Sequence, residues 1–327
     1  MTDVIDAHTH VLRSPEHGRE LWSYFLGRTP AGGHPIDPPA FHTADEAEQL
    51  MDATGVVHMN ILMFTWSGRY WRDGAYTLPD DETRRAIAAE ELRRRIVARI
   101  HDNNEWALDL VATRSRFSVF VGIDPVLMTE DEMLAELDGA RRRGALGVKI
   151  VPFDFRVPGD DRRLWPLYQW CAEQRVPLLS QASGHVPCRP ASFAEALRVF
   201  PDLRLVFSHL GHDSVFGKGA DAEVVELARE FAGVHTDLSL RLPEMLQGAC
   251  TPDEFVEHVR RIGVDRVLYG TNYGFVDTTN SDKDHKSTDG PQTTWARRNL
   301  EAFGALPFTE SERALVASEN FRRVTGG

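Results

Sequence analysis

At 327 residues, 42% hydrophobic and 26% charged, the chain is long enough to bury a large core and has a globular composition. Its formal net charge of −12 argues against a nucleic-acid partner, whose phosphates need a basic surface. It leaves anionic small molecules open, because a local pocket can oppose the net charge.

Short apolar, β-rich runs recur along the chain. In order they are "DVIDAHTH", "GVVHMNILMF", "RFSVFVGIDP", "LGVKIVP", "VPLLSQAS", "LRLVFSHLG", "GVHTDLSL" and "VDRVLYGTNYG". Near-continuous apolar runs are expected of strands buried on both faces of a parallel sheet. Segments of helical periodicity, such as "DEMLAELDGARRRG" and "FAEALRVF", lie between them. Capping boxes predict helix starts at Thr43 with Glu46, Thr129 with Glu132, Thr251 with Glu254 and Thr309 with Glu312. Pro252 fits the first helical position of its box. A long helix is expected from about Asp81 to Arg114, broken near Asn103 and Asn104. Eight strand–helix alternations predict an α/β fold, a (β/α)8 TIM barrel, as one domain over residues 1–327. A doubly wound open sheet ranks second, because no Gly-rich phosphate fingerprint follows the first strand. Residues 11–42, 65–80 and 273–291 read as long loops leaving the carboxyl ends of strands, where barrel enzymes keep their active sites.

Cys171, Cys188 and Cys250 are too few and scattered for a disulfide framework and read as free thiols. With no basic-then-apolar leader and no membrane-length apolar run, a cytoplasmic protein without membrane contacts is expected.

Polar residues cluster at the strand ends. Side chains alternate along a strand, so His8 and His10 share a face with Asp6. The same parity groups Leu205, Phe207 and His209, then Leu179 with Gln181, then Leu268, Gly270 and Asn272. Lys149 lies late in "LGVKIVP". Taken singly, each has an ordinary explanation as an incidental pair, a rim histidine, a hydrogen-bonding amide or a structural lysine. Five apolar-then-polar endings at one barrel mouth are harder to explain by packing, since buried polar groups cost free energy without partners.

"IDAHTH" at the first strand, "GALGVKI" at the fourth, "FPDLRLVFSHLG" at the sixth and "DRVLYGTNYG" at the eighth resemble the amidohydrolase superfamily. The similarity is to its amidohydrolase-related branch, which includes aminocarboxymuconate-semialdehyde decarboxylase, and "ENFRRV" resembles that branch's closing segment. The resemblance implies a (β/α)8 barrel with one divalent metal. It implies metal-ligand roles for His8 and His10 and a catalytic role for His209. The family's histidine at the fifth strand end and aspartate at the eighth fall on Gln181 and Asn272. Asn272 offers a neutral amide, which neither carries charge to a metal nor takes a proton from water. One divalent ion, zinc or manganese, is therefore expected to bind weakly, and a metal-free pocket is the favoured alternative. His209 or His185 would rescue the site by completing a three-histidine set.

Three functions compete. The leading expectation is hydrolysis of an amide, ester or lactone of a small polar or anionic molecule, with His209 as general base and Lys149, Gln181 and Asn272 beside it. Non-oxidative decarboxylation of a small carboxylic acid ranks second, and a non-catalytic binding barrel third. Arg241 and Arg156 are candidate carboxylate clamps. Tyr273 and His185 are further candidate substrate contacts, and Phe64, Trp66, Tyr70 and Trp71 are candidates for an aromatic lid. A homo-oligomer is compatible with all three.

Overall fold

β-branched and aliphatic residues dominate the strands, and the eight predicted runs are all strands in the computed structural model. They are β1 (Val4–Thr9), β2 (Val56–Leu62), β3 (Phe117–Gly122), β4 (Gly147–Ile150), β5 (Leu178–Ser180), β6 (Leu205–Phe207), β7 (Val234–Asp237) and β8 (Val267–Leu268). They form one sheet in the order β1 to β8, alternating with helices, which is a (β/α)8 barrel. The structure describes residues 3–19, 41–275 and 295–326. Much of the expected loops over 11–42 and 273–291 lies outside the described residues.

The chain folds as two compact units, Met1–Ile61 with Asp237–Gly327, and Leu62–Thr236. In the first, β1 pairs in parallel with β2, Ile5 opposite His58 and Thr9 opposite Ile61. On its other side β1 meets the β8 segment: the Ala7 N–H donates to the Tyr269 carbonyl, and the Asn272 N–H donates to the His8 carbonyl. In the second unit the parallel register runs from Phe120–Gly147 through Val148–Leu178 to Leu178–Leu205 and Leu205–Val234. Val119, Ile150, Leu179, Val206 and Phe207 are fully buried there, as the continuous apolar runs require.

All four capping boxes form, with Thr43, Thr129, Thr251 and Thr309 each accepting from the glutamate three residues on. Pro252 opens its helix, Pro252–Ile262. The long helix, Glu82–Thr113, is continuous through Asn103 and Asn104, which corrects the expected break. The two amides find partners off the helix instead of competing with its backbone. Asn103 donates to Thr65 Oγ1 at 2.7 Å, and buried Asn104 exchanges two 2.9 Å hydrogen bonds with the backbone of Gly122. Gly122 allows this close packing, since a Cβ there would lie 2.7 Å from the Met63 carbonyl oxygen.

Residues 65–80 are a second correction, because Ser67–Ala75 is a helix rather than a loop. No side chain at its own N-cap holds it. The Asp154 carboxylate accepts from the N–H groups of Gly68 (2.8 Å) and Arg69 (3.0 Å), a cap supplied from far along the chain. Tyr70 and Trp71 are partly buried and pack against the buried cluster of Leu92, Ile96 and Leu127. Trp66 is half-buried, with the Phe64 ring edge-on at 5.0 Å. Cys171, Cys188 and Cys250 form no disulfide with one another. No helix among the described residues is long and apolar enough to cross a membrane.

Candidate active site

β1 carries Asp6 and His8 on one face, with His10 just past its end. His8 is buried, and its Nδ1 lies 2.8 Å from Asp237 Oδ2 and 3.0 Å from Ser239 Oγ. Asp237 ends β7 and is fully buried. Its Oδ1 accepts from the Ser239 N–H at 3.0 Å and from the Ser239 hydroxyl. His10 packs edge-on to His8 with ring centroids 5.2 Å apart, and edge-on to Phe275 at 4.3 Å. Its N–H donates to the Tyr273 carbonyl at 2.7 Å.

Below His8, Asp6 accepts from the Thr271 N–H (3.0 Å), the Thr271 hydroxyl (2.5 Å) and the His8 N–H (3.2 Å). Burial pushes its carboxyl up to about 7, against the opposing effect of those hydrogen bonds. Asn272 is buried beside this network in the left-handed region, at φ 61°. Tyr273 is buried, its ring edge-on to His42 at 4.9 Å. Arg241 is buried after β7 and donates to Glu244 Oε2 at 2.5 Å.

In the other unit, His209 follows β6, buried and left-handed at φ 60°, with Leu210 left-handed after it. Its ring stands edge-on to His212 at 5.6 Å. Gln181, half-buried, follows β5, and the next N–H, of Ala182, donates to Ser208 Oγ at 3.0 Å, tying the ends of β5 and β6. Lys149 is buried late in β4. His185 is exposed, 6.4 Å from the Phe153 ring. Arg156 is exposed at the end of the short helix Pro152–Phe155.

The predicted residues of the first unit, His8, His10, Asn272 and Tyr273, thus come together at the ends of β1 and β8. Arg156 and His185 stand in solvent. Sequence reasoning missed Asp237 and Ser239. Asp237 shows the same apolar-then-polar ending in "GVHTDLSL" as the strands singled out. Its presence corrects the expectation that the loss of a carboxylate at Asn272 leaves the histidines without an anionic neighbour.

Residues 5–326 match the family described as Amidohydrolase. The chain belongs to the amidohydrolase family. No curated protein matches this amidohydrolase. Solved structures share its fold at low identity. A 2,6-dihydroxybenzoate decarboxylase from Rhizobium is 16% identical, with TM-score 0.63 over 100% of this chain and 99% of the other. A dihydroxybenzoic acid decarboxylase from Polaromonas, with bound manganese and the inhibitor 2-nitroresorcinol, is 16% identical, with TM-score 0.59 over 100% and 97%. A probable 2-pyrone-4,6-dicarboxylic acid hydrolase from Acinetobacter baumannii, with citric acid bound, is 12% identical, with TM-score 0.62 over 99% and 100%.

Proposed function

We propose that this amidohydrolase is a metal-assisted decarboxylase of a small, anionic, ring-bearing acid. The observation that carries the reading is that the buried residue at the end of β8 is the neutral Asn272, which cannot itself take a proton from water as a carboxylate would. Decarboxylation needs no hydroxide. It needs the substrate carboxylate held out of water and a proton delivered to the ring carbon as the C–C bond breaks. The electron pair of that bond takes up the proton, and CO2 leaves.

The residues fit a divalent cation. His8 offers an imidazole nitrogen and Asp237, hydrogen-bonded to that ring, adds negative charge, a setting suited to zinc or manganese. Such an ion supplies a fixed positive charge against the substrate's oxygens. Lys149, buried late in β4, is the proposed positive charge for an anionic substrate of this acidic chain. His209 is the proposed proton donor. The structures of hydroxybenzoate decarboxylases with this fold support the reading.

Hydrolysis remains the second reading, favoured by the buried imidazole of His209, which can act as base as well as acid, and by the pyrone-dicarboxylate hydrolase of similar fold. The test is a panel of hydroxybenzoates and pyrone carboxylates with added manganese, following CO2 release and ring opening separately. CO2 release that falls about 100- to 10,000-fold in a folded His209→Ala protein is the expected result. Ring opening without CO2 would establish hydrolysis instead, and turnover of neither class would sink both.

A further inference from the structure

We infer that Ser239 is a positioning residue that, together with Asp237, locks His8 in the tautomer with its proton on Nδ1 and its lone pair on Nε2. The inference deepens the site just proposed, and its consequence for chemistry rests on that reading. The tautomer itself does not.

Three buried groups touch one another here, and their mutual hydrogen bonds fix where the His8 proton lies. A carboxylate offers acceptors only, and a neutral imidazole has one N–H and one lone pair. The Asp237 Oδ2 to His8 Nδ1 distance of 2.8 Å is a hydrogen bond only if a proton lies between them. With the carboxylate ionised, that proton belongs to Nδ1. The Ser239 hydroxyl has one hydrogen to donate, and it lies against Asp237 Oδ1 as well as 3.0 Å from His8 Nδ1. Spending that hydrogen on Oδ1 leaves the serine oxygen as a second acceptor facing Nδ1–H. The opposite tautomer would set the Nδ1 lone pair against a carboxylate oxygen. His8 is 1% exposed and Asp237 and Ser239 are fully buried, so solvent would not relieve that repulsion.

The backbone is built around the same contact. Leu240, directly after Ser239, is left-handed at φ 65°, a strained conformation for a leucine. Gly270 lies against both side chains. A Cβ there would sit 2.9 Å from His8 Cβ and 3.4 Å from Ser239 Cβ. His8 and Ser239 therefore approach across space that any other residue at 270 would fill. A hydroxyl needed only to tie down the turn after β7 would require neither the imidazole contact nor this glycine. The consequence is that Nε2 is the His8 nitrogen that carries the lone pair, and that Asp237 acts through the ring. An outer carboxylate of this kind orients a histidine and raises its basicity.

The experiment uses the full chain, stripped of metal and labelled with 15N histidine. Long-range proton–nitrogen correlation reads the tautomer, and the His8→Gln protein identifies the His8 signal. The expected wild-type pattern is a protonated Nδ1 and an unprotonated Nε2. Ser239→Ala should mix the two tautomers and weaken manganese binding by about 10- to 100-fold, and Ser239→Thr, which keeps the hydroxyl, should restore both. A proton on Nε2 in the wild-type protein overturns the inference outright, whatever the variants do. So does a folded Ser239→Ala protein with unchanged tautomer. If Ser239→Ala does not fold, the wild-type spectrum and Asp237→Asn decide the matter, an unchanged His8 pattern in Asp237→Asn counting against it. A fixed Nδ1–H tautomer in a protein that turns over no acid would defeat the proposed reaction and leave this inference standing.

Discussion

Asn272 is buried at the end of β8 in the left-handed region. Its φ of 61° restricts the choice of residue there, because Asn, Asp and Gly enter the left-handed region more readily than other side chains. Asn272→Asp should therefore fold without added strain and place a second carboxylate beside His8 and Asp237. Carboxylate changes around a metal typically move affinity by 10- to 100-fold, and a gain of about that size for manganese is expected by titration calorimetry. Unchanged affinity would mean that Asn272 does not reach the ion. The polar residues at the ends of β1 and β8 were legible from strand parity, which is a local property. The link from His8 to Asp237 was not, because no periodicity connects residues 229 apart in sequence.

At the level of elements, the helices divide by where their ends are satisfied. Those starting at Thr43, Thr129, Thr251 and Thr309 were legible because donor and acceptor lie within four residues. Ser67–Ala75 was not, because its cap comes from Asp154, 86 residues from Gly68. Asn104 tells the same story in reverse. In sequence it reads as a helix breaker, and in the fold it bridges Glu82–Thr113 to the end of β3. Asn104→Leu would leave the Gly122 N–H and carbonyl without that partner inside the protein. At about 1–3 kcal/mol for each unsatisfied group, the variant should lose roughly 2–6 kcal/mol in urea denaturation. A loss below about 1 kcal/mol would show that water or a neighbouring side chain takes over both bonds.

For the whole molecule, the alternation of strands and helices was readable because each strand of a parallel barrel is buried on both faces and is written as an apolar run. One contribution to its response to acid comes from a residue that the run pattern passes over. His258, buried in the helix Pro252–Ile262, is pushed down from 6.5 to about 4, first by burial and then by the charges of Arg261 and Arg241. The unfolded chain then binds a proton before the folded one does. Stability from this group is complete above pH 6.5 and falls as the pH drops toward 4. His258→Leu should flatten that decline by up to roughly 3 kcal/mol, read as the difference in urea stability between neutral and acid pH for the two proteins. Identical pH profiles would assign the acid sensitivity elsewhere. The division into units also bears on how the chain is made. Leu62–Thr236 is a continuous stretch, whereas the other unit joins Met1–Ile61 to Asp237–Gly327. During synthesis on the ribosome, the first strand emerges long before Tyr269 and Asn272, whose backbone it pairs with. His8 meets Asp237 only after the whole continuous stretch has been translated, so the proposed active site is among the last parts of the protein to assemble. Until then β1 presents an unpaired edge to the cell, and chaperones that hold nascent chains would have their longest opportunity there.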